Sequence, residues 1–557
     1  MSATSISIPG IRPPSSRPAF VAVFPTELSK SPLLGIVGVI LGAGIVTLTA
    51  RLVSLGLADL KGNVGISYDD GAWIGTVYNA ALIFIGPLSV YLGALLGPRR
   101  VLLAGATAFT LISSVLPLVH SYSLLMFLLV IAGFTSGTFY PLTLTFALRN
   151  IPLRYLPVVL ALYVACIEGS VNYAPSLYGF FRDYISWKWM FWLPAVLTPA
   201  MMACIYFGIP TSPRAQSKKE PPSFAGLLFL SAGLGFMYSA LDQGERLDWW
   251  RSGVFTALMA GGSLFLLGAL AQRWRRPNWL IDLPYLQKWN TVLLGIALFT
   301  FRFALLGTIV IIPQSLAMRG LDAAQYGPAV LWSAVGETVL AFVGALFLTK
   351  GIDTRLLMAI GFTSIAFACV INSDFTSTWA AENYFRTVLL MAVGQSFAML
   401  GLVSSIILQA AFTGALDAPQ RVLTFSAFFH TIRLFGGQAG AVYMIHFIAK
   451  REKLHSNLLG LHVQSGNWIT ADTLRHMALG LAARSSGPWT AAGRAVDIIA
   501  LRARLQAYSL TIIDGFQLIA WACAGMLLLT VVLSKPPMSF GQLATLQDEI
   551  PQEESKP

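Results

Sequence analysis

The chain has 557 residues, of which 56% are hydrophobic and only 11% charged. Soluble domains carry roughly 25% charge, so this composition excludes a water-soluble globular protein. The net charge of +12 does not point to nucleic acid, because Lys and Arg are scattered over short loops, the distribution that orients membrane spans.

From the N-terminus, residues 1–32 hold Arg12, Arg17, Lys30 and several prolines, with no short apolar core before a small-residue cleavage site. This predicts a cytoplasmic tail. Fourteen apolar spans follow, at about 33–58, 71–96, 101–119, 122–147, 156–181, 189–209, 224–241, 252–271, 290–316, 326–349, 355–372, 383–410, 421–448 and 508–533. Each can cross a hydrocarbon core of about 30 Å. They are continuous rather than alternating, so they predict helices and not barrel strands. An even count returns the C-terminus to the cytoplasmic side. Predicted inner loops hold Arg99, Arg100, Arg149, Arg154, Arg214, Lys218, Lys219, Arg276 and Lys350, against fewer cations in the short outer loops.

Residues 449–507 form a long outer loop. Leu474, Met477, Ala478 and Leu481 share one helical face there, as do Val496, Ile499, Ala500 and Ala503. Two amphipathic helices are expected, lying on the membrane surface or on the protein. Residues 534–557 read as a disordered cytoplasmic tail. Cys166, Cys204, Cys369 and Cys523 sit inside apolar runs with no CxxC spacing, which predicts small buried hydrophobes and neither disulfides nor metal ligands.

Ionisable groups inside spans are the candidate functional residues. Glu168 lies at the middle of its span, where a charge costs about 2.5–3.5 kcal/mol and almost always faces a partner or a water-filled cavity. Arg51, Arg302 and Glu337 are the other deep charges. Two readings of Glu168 stand side by side: a proton carrier lining a cavity, or a static ion pair with Arg51 that locks two helices. Arg51 could instead snorkel to the outer surface. Glu337 and His430 are further proton-coupling candidates, although a lone histidine can be a hydrogen-bonded filler. For cargo, Arg51, Tyr78, Asn79, Asn172, Tyr173, Arg302, Gln314, Trp332 and Gln395 offer stacking and adaptable hydrogen bonds. Asp242, Glu245 and Asp248 read as solvated charges at a helix end, and Asp514 as a charge near an outer end.

Several local patterns resemble one family. APSLYGFF (174–181) followed by SWKWMFWLPAV (186–196) resembles the GPxxGG motif and tryptophan-rich helix start of the major facilitator superfamily's 14-helix drug:proton antiporters, the EmrB/QacA type. LDQGERLDWW (241–250) resembles that branch's LxxGxxxDW signature. PQSL (313–316), IDTR (352–355), TIRLFGGQAG (431–440) and REKLH (451–455) fall in the family's order. The resemblance covers roughly residues 30–535. It implies an all-α membrane fold: a six-helix bundle over 33–209, two inserted helices and linkers over 210–289, and a second bundle over 290–533 that includes the outer loop. It also implies motif positions at Gly93, Arg99, Arg100, Pro175, Gly179 and Arg433, the last of which could equally serve inter-helix pairing. The family's usual charges are missing at three places: Thr49 stands at the acidic position of the first helix, Leu129 at the fourth-helix Arg, and GALLGPRR (93–100) lacks the Asp. The expectation is that charge has been relocated to Glu168 and Arg51.

No phosphate-cradling GxxxxGK[ST] loop, HExxH or nucleophilic arrangement is present, so the chain reads as neither an enzyme nor an ATP-driven pump, and no cofactor is expected. The expected function is proton-coupled efflux of amphiphilic toxic compounds by alternating access. Alternatives are a dedicated exporter of an organic anion, on the strength of Arg51 and Arg302, and a membrane receptor or scaffold. Expected partners are the small-molecule cargo, protons and the bilayer. The resemblance adds a periplasmic adaptor and outer-membrane channel and places the chain in a bacterial inner membrane.

Overall fold

The structure is a computed structural model that describes residues 32–209, 224–275, 288–412, 419–464, 466–483 and 487–545. The expected N-terminal tail, the end of the C-terminal tail and the loop cations Arg214, Lys218, Lys219 and Arg276 lie outside these residues. Among the described residues the chain is helical with no strand. In lipid the backbone has no other donor or acceptor than itself.

The first half comprises α1 (Pro32–Leu55), the short α2 (Leu57–Val64), α3 (Tyr68–Leu96), α4 (Pro98–Val115), α5 (Tyr122–Ser136), α6 (Phe139–Asn150), α7 (Leu156–Phe180) and α8 (Trp189–Gly208). The inserted pair is α9 (Phe224–Gly244) and α10 (Gly253–Arg275). The second half runs through α11 (Trp289–Ala304), α12 (Ile312–Ala317), α13 (Ala323–Thr349), α14 (Thr354–Asn372), α15 (Phe385–Phe412), α16 (Pro419–Gly460), α17 (Trp468–Ala482) and α18 (Pro488–Val532). Thirteen described segments are long and apolar enough to cross a membrane. The predicted span at 421–448 is the additional one. It lies in a 42-residue helix, but His430, Arg433, Gln438 and His446 dilute its apolar character.

The most extensive contact between the halves joins α7 to α13. Small residues make it possible. A Cβ added to Gly327 would stand 2.8 Å from the backbone nitrogen of Ser176, and one on Gly179 would meet the Ala324 backbone. The two helices therefore cross at backbone contact, as small residues allow in lipid. On the side of the membrane away from the N-terminus, Arg182 Nη2 meets Asp322 Oδ2 at 2.7 Å just beyond that crossing. Asp322 also caps α13, accepting from the backbone of Ala324 and Gln325.

Other motif residues hold helix ends. Arg99 donates to the Ile209 carbonyl at 3.0 Å and lies over the Tyr206 ring, whereas Arg100 is exposed. Gly93 accepts from Gly97, which ends α3. Asp353 caps α14 and pairs with Arg355, whose Nη1 reaches the Leu533 carbonyl at the end of α18.

The predicted outer loop needs correction. Much of 449–507 continues the flanking helices: α16 runs on to Gly460, and the predicted last span is the distal part of the 45-residue α18. At 1.5 Å per residue α18 is about 68 Å long, roughly twice a hydrocarbon core. The second predicted amphipathic helix is therefore the start of α18, while the first is the separate α17, packed on α18. Asp514, expected as a charge near an outer end, is paired. It accepts from Arg451 Nε at 2.6 Å and sits 2.7 Å from His455 Nε2, joining α18 to α16.

Candidate functional site

A cavity of about 230 Å³ lies between the halves. Val46, Thr47, Ala50, Arg51 and Ser54 of α1, Asn79 of α3, Tyr140 of α6 and Val171 of α7 form one side. Arg302 of α11, Ile309, and the Arg433, Leu434, Gly437, Gln438 and Ala441 face of α16 form the other. Tyr238, from the inserted α9, closes a third side.

Three guanidinium groups reach this space. Arg51 does not snorkel outward; its Nη2 donates to the Ile309 carbonyl at 3.0 Å. That carbonyl belongs to a five-residue π turn, Gly307–Ile311, between α11 and α12. Irregular backbone at membrane depth is tolerated where it lines a cavity or is buried in protein, and π turns recur at functional sites. Arg433 lies over the Tyr140 ring, 4.7 Å from its centroid. The Tyr140 hydroxyl meets Thr47 at 2.7 Å, and its ring stacks on His430 at 4.5 Å.

Glu168 is 1% exposed, and its partner is Arg302, not Arg51: Arg302 Nη1 stands 3.7 Å from Glu168 Oε1. The expected Glu168–Arg51 pair is absent because α1 directs Arg51 to the π turn while α11 brings Arg302 across to α7. At 3.7 Å the two charges attract without a hydrogen bond. Among the described residues, neither Glu168 oxygen has a hydrogen-bond partner, and neither do Nε and Nη1 of Arg302. The pair joins the two halves.

A second polar cluster lies one turn further along α7. Asn172 Nδ2 of α7 donates to Glu337 Oε1 at 2.8 Å and to Gln395 Oε1 at 3.1 Å. Ser333 donates to the same Glu337 oxygen at 2.8 Å, and Gln395 passes a donor to Thr308 at 3.1 Å. All of these residues are buried. Tyr173 adds a contact to Thr338 at 3.4 Å. These residues bridge the halves and are not among those lining the cavity.

The remaining expected cargo residues separate. Asn79 lines the cavity, whereas its neighbour Tyr78 is buried within the first half, 3.0 Å from Ser136. Gln314 is on α12, outside the cavity lining. Trp332 is 49% exposed and packs against Phe385, away from the cavity.

Sequence reasoning missed Tyr140, Tyr238 and Gln438, and it misplaced Asp242. Tyr238 donates its hydroxyl to Gln438 Oε1 at 3.0 Å, and Gln438 Nε2 donates to Asp242 Oδ1 at 2.5 Å. Thr76 bonds the other Asp242 oxygen. Gln243 reaches the Ala72 carbonyl, Arg246 meets Asp69 at 2.8 Å, and Glu245 contacts Trp249 and His446. The LDQGERLDWW segment thus ties α9 to α3 and α16. One signal was available. His430, Arg433 or Leu434, Gly437 or Gln438, and Ala441 recur at helical spacing, a polar and small stripe through an apolar helix.

Residues 39–441 match the profile described as Major Facilitator Superfamily. The chain is similar to a multidrug export protein, EmrB, of Haemophilus influenzae, at 24% identity over 77% of this chain and 83% of that protein. It is also similar to the fatty acid resistance protein FarB of Neisseria gonorrhoeae, at 23% identity over 77% and 83%. The colistin resistance protein EmrB of Acinetobacter baumannii matches at 24% identity over 78% and 84%.

Proposed function

Because the chain belongs to the major facilitator superfamily of membrane transporters, we propose that it exports amphiphilic toxic compounds in exchange for protons, presenting the cavity between its halves to each membrane face in turn. The similarity to a multidrug export protein and to a colistin resistance protein supports this reading. It is a transporter and not an enzyme.

The observation that carries the mechanism is the Glu168–Arg302 pair. It joins α7 to α11, one helix from each half, and Arg302 forms part of the cavity wall. A proton taken up by Glu168 cancels its charge, removes the attraction to Arg302 and alters what holds the halves together. In proteoliposomes, Glu168→Gln is expected to abolish ethidium movement driven by a pH gradient while ethidium still equilibrates down its own gradient. Gradient-driven movement at the unaltered rate would overturn the assignment. Glu337 and His430 are secondary: Glu337 is buried away from the cavity lining with one oxygen held by Asn172 and Ser333, and His430 stacks on Tyr140 with neither ring nitrogen hydrogen-bonded among the described residues.

A second reading has its own observation. Three guanidinium groups line the cavity, while the carboxylates nearest it, Glu168 and Asp242, stand behind Arg302 and Gln438 and are not among the lining residues, a balance that favours an anionic cargo such as an aromatic or fatty carboxylate. Transport assays separate the readings. If 1-naphthoate is transported and neither ethidium nor 1-naphthylmethylamine is, anions are the cargo; transport of ethidium ends this reading.

The setting we propose is a bacterial inner membrane with both termini cytoplasmic. The helical outer appendage then faces the periplasm with Trp468, Ile469 and Trp489 exposed, and offers a docking surface for an adaptor that leads to an outer-membrane channel. Replacing Trp468 and Trp489 by Ser is expected to spare transport in liposomes and lower drug tolerance of cells.

A further inference from the structure

The inserted helices occupy a place that a mere spacer would not. Tyr238 of α9 lines the cavity, and α9 packs on α3 of the first half and α16 of the second. Gln438 projects from α16 into the same space, and both ends of its amide are held by α9: Oε1 accepts from Tyr238, and Nε2 donates to Asp242. Asp242 is in turn fixed by Thr76 of α3. An amide that is free to turn can offer cargo either a donor or an acceptor. Here its orientation is set, so one Nε2 hydrogen and one Oε1 lone pair remain for cargo.

We propose that the inserted helix is a third wall of the cargo site, and that Asp242 and Tyr238 are positioning residues that set cargo preference through Gln438. This rests on the transport reading for its biological meaning, but binding alone can test it. The chemistry that Gln438 would read is a polar group able to accept from an amide N–H or donate to an amide oxygen, on an apolar body lying against Tyr140 and Tyr238.

The test compares two probes of different polarity, ethidium and 1-naphthoate, as a ratio of KM values in proteoliposomes and of binding constants on the purified full-length protein. Tyr238→Phe and Asp242→Ala each remove one hold on the amide and are expected to shift the ratio about fivefold, the worth of one buried hydrogen bond. Asp242→Asn keeps an acceptor for the amide and is expected to preserve the ratio. Asp69→Asn breaks a different tie of α9, the pair with Arg246, without touching Gln438, and controls for loosening of the helix. It too should leave the ratio unchanged.

A ratio unmoved by both Tyr238→Phe and Asp242→Ala would overturn the proposal, as would an equal shift in Asp69→Asn or a wild-type protein that binds neither probe. Should binding ratios shift while no probe is transported, the wall assignment stands and the transport reading falls. A variant that does not fold is replaced by Gln438→Leu, which must reproduce the shift.

Discussion

Glu168 illustrates what a single side chain can decide in this molecule. Its charge is buried, and among the described residues Arg302 is its one ion-pair partner within 4 Å. Removing one member of such a pair leaves an uncompensated buried charge, which costs about 3–5 kcal/mol, whereas replacing both with apolar or neutral groups is often neutral. Arg302→Met should therefore strongly lower the thermal unfolding midpoint of the purified protein, and adding Glu168→Gln to it should recover much of the loss. Equal instability of the single and double variants would mean that Arg302 matters through packing. The sequence marks Glu168 and Arg302 as deep charges and leaves Glu168 two readings, a cavity-lining proton carrier or a pair with Arg51; the arginine beside it is Arg302. Depth in a span can be counted along the chain, but the neighbour a helix faces is fixed by packing. Asp242 was misjudged for the related reason that a charge near a helix end looks solvated until a neighbouring helix covers it.

Among elements, the crossing of α7 and α13 is the most constrained. Ser176 and Ala324 stand where side chains on Gly327 and Gly179 would go. Gly327→Leu must part the helices, an overpacking that costs typically 1–3 kcal/mol, and should reduce transport more than it reduces folded yield. Near-normal transport by this variant would show that the crossing is not rigid. Most spans were legible in the sequence, since unbroken apolar runs of this length have few alternatives in lipid. The long α18 was not. The outer portion of α18 is amphipathic and its inner portion apolar, so one continuous helix reads as two segments with different surroundings. Nor did the sequence foretell the π turn at Gly307–Ile311, because nothing local distinguishes it from regular helix.

For the whole molecule, the question is what must separate when the halves move. Arg182 and Asp322 join them beyond the α7–α13 crossing. Partial burial would raise the Asp322 carboxyl, but the Arg182 hydrogen bond and charge and two backbone N–H groups outweigh it and hold it below the usual carboxylate range. A carboxylate lowered in this way contributes its stabilisation above its unfolded value of about 3.9 and loses it only as pH falls through the lowered value. The bridge thus stays charged across physiological pH and is no proton sensor. Its strength should be the same at pH 5.5 and pH 8, read as equal protection of cysteines placed beside it from a water-soluble maleimide. A cysteine pair at 182 and 322, joined by a short bismaleimide in a background without the four native cysteines, should stop transport, and transport that continues after complete joining would place the moving contact elsewhere.

The unbroken α18 has a mechanical corollary. A rod of about 68 Å turns a tilt of 5° into a sweep of about 6 Å at its tip. The Asp514 contacts to Arg451 and His455 brace that rod against its neighbour, so rod and neighbour swing together. The protein therefore carries a built-in pointer, and a fluorophore near Trp489 would register rearrangements too slight to detect at the membrane centre.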